Sequence, residues 1–320
     1  MMTGIPAMII NMITIMALAM VLSVFVISAY HRINAEKQIN YAAKTYQKIL
    51  WTLVLMPWLV GLIAAISLVF FDAELYAWQN IIPGIHWHHV DEFNMMSWHG
   101  VLASLVVCIV VYALGKSGLE LFNNIQKTKV LKSMGHLGSD NSYLLDTDSP
   151  MAFVGGYFKP QIFITTGLKK ALNPDELAIV LLHEHEHLQN KDALKKLLFR
   201  WLSSIFPRNT SIKFQTAMNL SIEQCADQAI TSQIRDKSKI AETLLKVKSL
   251  SVDTEASHIP QNAVCHYGFD EVERRIRYLL LPEPDKAFPV LSMVMIVPVL
   301  NFSCTYFAAS AHHLIEHILS

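Results

Sequence analysis

The chain has 320 residues, 52% of them hydrophobic and only 16% charged, with 26 basic and 26 acidic side chains and no formal net charge. That balance excludes an electrostatic nucleic-acid binder and is more apolar than an ordinary soluble domain. The apolar residues fall in long runs, which indicates an integral membrane protein.

The first run covers about 5–30. No Lys or Arg precedes it, and it is long for a signal-peptide core, so it reads as a retained transmembrane helix. Segment 31–48 carries Arg32, Lys37, Lys44 and Lys48 against Glu36 alone. A second run covers about 50–71, with Pro57 and Gly61 as expected bend points. Segment 72–97 has Asp72, Glu74, Asp91 and Glu92 but no Lys or Arg. A third run covers about 98–114 and is followed by Lys116, Lys127, Lys129 and Lys132; the last covers about 288–309 and contains Pro298. Basic segments stay in the cytoplasm. Segment 31–48 is then inside and 72–97 outside, both termini lie outside, and 116–286 is cytoplasmic. Four crossings meet every charge signal, dividing the chain into a membrane region (1–115), a cytoplasmic domain (116–286) and a last crossing with a short outer tail (287–320).

Two outer features have alternative readings. His86, His88, His89 and His99, with His312, His313 and His317 in the tail, either bind metal or sense acid, or they anchor helices at the interface beside Trp78, Trp87 and Trp98. Asn11 and Asn301 lie inside apolar runs, where such groups face other helices. The four cysteines (Cys108, Cys225, Cys265 and Cys304) form no disulfide framework, and Cys225 and Cys265 fit a reducing compartment.

The cytoplasmic segment opens with an amphipathic, basic helical pattern over 119–134. Phe153 to Phe158 and Gln161 to Thr165 then read as short strands, with Gly155-Gly156 and Lys159-Pro160 as turns. Asn173-Pro174-Asp175-Glu176 is a helix start: Asn173 can cap, Pro174 suits the first turn and Glu176 can close a capping box. The pattern predicts a helix from Pro174 to at least Lys195. Further helical patterns cover 209–234, 239–250 and 269–280, the last with Asp270 as cap, and Pro282-Glu283-Pro284 links back to the membrane.

The first of these helices carries His183-Glu184-His185-Glu186-His187. Residues four apart stack on one helix face, so His183 and His187 can reach a single metal ion. Glu184 lies beside that face and can take a proton from water, as in the His-Glu-x-x-His signature of zinc peptidases. His183-x-x-Glu186-His187 also fits the inverted order, and spacing does not choose between Glu184 and Glu186. His185 points away. A catalytic zinc needs a third protein ligand. Glu223 is the candidate, with Asp227 one turn later able to accept from a ligating imidazole, as can Asp192. Cys225 is either a fourth ligand or a small buried apolar residue.

Ser149-Pro150, Phe153, Gly156-Tyr157-Phe158-Lys159-Pro160-Gln161-Ile162, the His183-Glu184-x-x-His187 run with Asp192, and Glu223-x-Cys225-x-Asp227 together resemble the BlaR/MecR-type family of bacterial membrane metallopeptidases of the gluzincin kind. The resemblance implies a mainly α membrane protein in the bacterial inner membrane, with four transmembrane helices and a cytoplasmic α+β zincin-like peptidase domain. It implies zinc held by His183, His187 and Glu223, with Glu184 rather than Glu186 as base. It also implies a protein substrate, either a transcriptional repressor or the peptidase itself. The family's sensors carry an outer penicillin-binding domain after the last helix; none follows here before Ser320, so beta-lactam sensing is not expected. The strand at Gly155, Gly156, Tyr157 and Phe158 is expected to hold an extended substrate by backbone pairing. A donor for the oxyanion is also expected; the sequence does not single one out among His266, Tyr267 and Arg277. Two other functions fit the same residues: a membrane quality-control protease, and a non-catalytic receptor whose zinc is structural.

Overall fold

The computed structural model describes residues 2–34, 41–74, 92–93, 98–138, 141–255, 265–281 and the short pieces 298–300, 302–303 and 306. The outer histidines 86, 88, 89, 312, 313 and 317, and most of the 288–309 run, lie outside the described residues.

A short β1 (Met2–Thr3) pairs with β2 (Glu92–Phe93). Between them lie two long apolar helices, α1 (Ile5–Asn34) and α2 (Ala43–Glu74). The stretches Ile5–Arg32 and Ala43–Ser67 are each long and apolar enough to cross a membrane. Pro57 sits inside α2 without ending it. Gly61 marks a close approach of the two helices: a Cβ there would stand 3.0 Å from the Met16 carbonyl oxygen. Asn11 is buried. The expected third span and the amphipathic 119–134 segment form one continuous helix, α3 (Trp98–Met134). No Pro interrupts it, and Gly115 and Gly118 alone do not break it.

Beyond α3 comes a small four-stranded sheet in the order β3-β4-β6-β5: β3 (His136–Leu137), β4 (Tyr143–Leu145), β5 (Ala152–Gly155) and β6 (Gln161–Thr165). β4 runs parallel to β6, and β5 runs antiparallel to it with Phe153 opposite Phe163. Phe163 is fully buried and stacks on Tyr143 and Phe153 at 5.4 and 5.3 Å. β5 is an edge strand. It ends at Gly155; Gly156 has φ +97° and turns the chain, so Tyr157 and Phe158 belong to a turn and not to the expected strand.

Thr165 caps the short α4 (Thr166–Ala171), which lacks a clear sequence signal. Asn173 then starts α5 (Pro174–Gln189) with a complete capping box: its side chain accepts from the Glu176 amide at 2.9 Å, and Glu176 accepts from the Asn173 amide at 2.8 Å. α5 is the centre of the domain. Val180 packs toward the sheet with Ile162, Ile164 and Leu168. Ile179 packs the other way with Ile230, Ile240 and Leu279. The helix does not reach Lys195. It ends at Gln189, and Lys191 takes a left-handed conformation (φ +52°) before α6 (Asp192–Ser203) begins.

α7 (Arg208–Ile230), α8 (Lys237–Glu255) and α9 (Cys265–Leu280) complete the described part. α9 starts ahead of Asp270, which is therefore not its cap. α6 and α7 also pack on the two long apolar helices. Phe199, Phe214, Met218 and Ile222 share one apolar cluster with Leu50, Leu53, Val54 and Met56 of α2. Trp201 stacks on Trp58 at 5.6 Å.

Candidate metal centre

α5 and α7 lie side by side, and their facing turns bring His183, His187 and Glu223 together. His183 Nε2 is 3.1 Å from His187 Nε2 and 3.3 Å from Glu223 Oε2; His187 Nε2 is 3.5 Å from the same oxygen. The two rings stand edge to face at 88°. His183 is buried and His187 and Glu223 are half-buried.

The far side of each ring meets a carboxylate. His187 Nδ1 is 2.8 Å from Asp192 Oδ2. On an unbroken helix, residues five apart sit about 140° apart around the axis. The left-handed turn at Lys191 is what carries Asp192 back to His187. His183 Nδ1 lies 3.1 Å from Asp227 Oδ1, near enough for charge pairing though off the line of a good hydrogen bond. With the proton kept on Nδ1, by a hydrogen bond to Asp192 at His187 and by the nearby Asp227 charge at His183, both Nε2 atoms present lone pairs. Two imidazole lone pairs and a carboxylate oxygen then converge on one point, which is repulsive without a cation between them. The donor set of two nitrogens and one oxygen fits a divalent metal ion.

Protons respond to the same convergence. Burial works against charge on His187, but Asp192 and Glu223 more than offset it and raise its pKa to about 9. Burial likewise opposes charge on His183, and Asp227 and Glu223 outweigh it. Glu223 is lifted by burial, yet His183, His187 and Arg275 bring it well below the usual carboxylate range. Asp227 and Asp192 also end lowered, against their burial, by Arg275 and His183 in one case and by His187 and Lys195 in the other. Glu184 goes the opposite way: burial raises its pKa, with His183 and His187 pulling against it.

Glu184 lines a cavity of about 420 Å³ together with His183, His187 and Glu223. Glu186 does not; it accepts from Asn190 instead, and His185 is exposed. Ala152, Phe153 and Val154 of the edge strand form another wall, so the strand segment facing the cavity lies just before Gly155 and Gly156. Tyr157 faces a neighbouring cavity and Phe158 is exposed. Cys225 points toward α2, where Gln47 Nε2 donates to its Sγ at 3.3 Å and to the Ser221 carbonyl at 3.0 Å.

Two cations in the site were not expected. Arg275 donates from Nε and Nη2 to both oxygens of Asp227, each at 2.8 Å, and its Nη1 is 3.4 Å from Glu223 Oε2. Lys196 Nζ is 3.1 Å from Glu223 Oε1. Arg277, one of the three candidates for the oxyanion donor, lies at the surface and pairs with Glu273 at 2.9 Å. The signal for Arg275 was present: with Val272, Ile276 and Leu279 it lies on the inward stripe of α9. His266 and Tyr267 fall within α9, but their side chains lie outside the described residues.

The family model described as BlaR1 peptidase M56 matches residues 8–279. The chain is similar to the methicillin resistance mecR1 proteins of Staphylococcus aureus (one of them from strain Mu50) and Staphylococcus epidermidis, each 26% identical over 164 residues. Those matches cover 48% of this chain but only 27% of the relatives' own length. No solved structure matches.

Proposed function

The chain belongs to the BlaR1 peptidase M56 family, and from that membership we propose that it is a membrane zinc endopeptidase that cleaves a cytoplasmic or membrane-associated protein, in signalling to a transcriptional repressor. The observation that carries this reading is the convergence of His183 Nε2, His187 Nε2 and Glu223 Oε2 in a cavity that Glu184 also lines.

In this reading His183, His187 and Glu223 hold the ion. When bound, zinc supplies Lewis acidity to a water and to the scissile carbonyl. Asp227 and Asp192 fix the tautomer and the angle of each imidazole. Arg275 locks Asp227 through a two-pronged pair, and Lys196 holds the outer oxygen of Glu223. Glu184 accepts the proton of the attacking water and returns it to the leaving amine; its raised pKa brings it nearer neutrality, which suits both transfers. The substrate lies extended along Ala152–Gly155, whose outer edge has no strand partner among the described residues. In this reading the domain is cytoplasmic, which the basic segments beside the apolar spans support.

The test is substrate trapping. Glu184→Gln keeps the ligands and removes the base. In native membranes, a partner that co-purifies with this variant and is cut by the unsubstituted protein supports the reading. Cleavage by Glu184→Gln at the unsubstituted rate overturns it.

A further inference from the structure

A second cavity of about 280 Å³ adjoins the first and shares Ala193 and Lys196 with it. Phe199 and Met218, both fully buried, give it an apolar floor, and Tyr157 stands at its side. Its charged lining is Lys196 and Arg200; among the described residues no acidic side chain lines it. Each cation has a carboxylate partner outside the cavity: Glu223 for Lys196 and Glu120 of α3 for Arg200. Gln215 spends its amide hydrogens on Ser203 Oγ at 3.3 Å and Ser211 Oγ at 3.0 Å, so it adds no free donor.

We propose that this cavity is the side-chain pocket that selects substrate, and that it takes an acidic residue next to the scissile bond. The inference rests on the peptidase reading. A peptide extended along β5 passes the shared wall at Lys196, where one side chain can leave the first cavity for the second. A glutamate lays its methylenes on Phe199 and Met218 and brings its carboxylate to Arg200. Guanidinium has five N–H donors in a fork, so Arg200 can keep Glu120 and still bind the newcomer. A lysine in the same place meets two cations and no partner.

The full chain carrying Glu184→Gln, reconstituted in lipid nanodiscs with zinc, is titrated with short labelled peptides identical except for a central Glu, Gln, Leu or Lys. The Glu peptide binds roughly tenfold or more tighter than the Lys peptide, as one well-placed charged contact provides. Arg200→Gln, which leaves only the Glu223-paired Lys196, shrinks the difference severalfold. The swapped pair Glu120→Arg with Arg200→Glu keeps the ion pair that steadies α3 on α6 and reverses the order. Equal binding of the Glu and Lys peptides, a preference undiminished in Arg200→Gln, or no binding by any peptide overturns the pocket. Cleavage is read separately with Glu184 restored. If the Glu peptide binds selectively but is never cut, the pocket stands and the peptidase reading falls.

Discussion

Asp192 and Asp227 never reach the proposed ion, yet each faces the outer nitrogen of an imidazole that does. Loss of such an outer partner typically weakens a metal site by about 10–100-fold. Asp192→Ala is therefore expected to lower zinc affinity by that order while the helices keep their circular dichroism; competition with a fluorescent chelator measures it. Protons compete for the same nitrogens. With the His187 pKa raised to about 9 in the metal-free protein, zinc must displace that proton at any lower pH. Apparent affinity should thus rise with pH, by about tenfold per unit per displaced proton, and level off near pH 9. Calorimetry in buffers of different ionisation enthalpy should record proton release at pH 7; its absence would refute the protonated imidazoles. His183, His187, Glu223 and Asp227 were legible from sequence because each pair sits one turn apart on a continuous helix. Arg275 was harder to see. It competed with Arg274 and Arg277 in one basic run, and only the inward face of α9 distinguishes it.

The break between α5 and α6 was not legible. Left-handed residues are most often Gly or Asn, and here Lys191 takes that conformation directly after Asn190. Sequence periodicity therefore ran straight through it. A non-glycine residue pays about 1 kcal/mol or more for such a backbone. Lys191→Gly is expected to stabilise the domain by about that amount without loss of zinc binding. Lys191→Ile, β-branched and poor at positive φ, should destabilise the domain and weaken zinc binding together, because Asp192 then leaves His187. Thermal unfolding with and without zinc separates the two effects. The capping box of α5, by contrast, was readable because every partner lies within four residues. The strand boundary at Gly155 was not, since Tyr157 and Phe158 have strand-like side chains in a turn that the backbone at Gly156 dictates.

At the scale of the molecule, α6 and α7 share one apolar cluster with the long apolar helices α1 and α2. Phe214 of α7 is fully buried there, and its ring packs against His31 of α1 at 4.6 Å, tilted by 53°. Gln47 of α2 bonds the α7 turn that carries Ser221 and Cys225, adjacent to Glu223. Sequence alone gave no hint of this, because the contacts join segments more than 140 residues apart, such as Trp58 and Trp201. Phe214→Ala should cost about 3–5 kcal/mol and loosen both parts at once. A single cooperative loss of membrane-helix protection and zinc affinity, read by hydrogen exchange, is the expected outcome. Independent melting would show that the two parts are separate units.

In the proposed function an ion is held by His183, His187 and Glu223. X-ray absorption at the zinc edge, on the purified full chain carrying one equivalent of zinc, tests it most directly. The prediction is a shell of nitrogen and oxygen neighbours at about 2.0–2.2 Å, with the imidazole pattern lost in His183→Ala and His187→Ala and the shell altered in Glu223→Ala. A sulfur neighbour at about 2.3 Å, or a spectrum indifferent to all three substitutions, would contradict it.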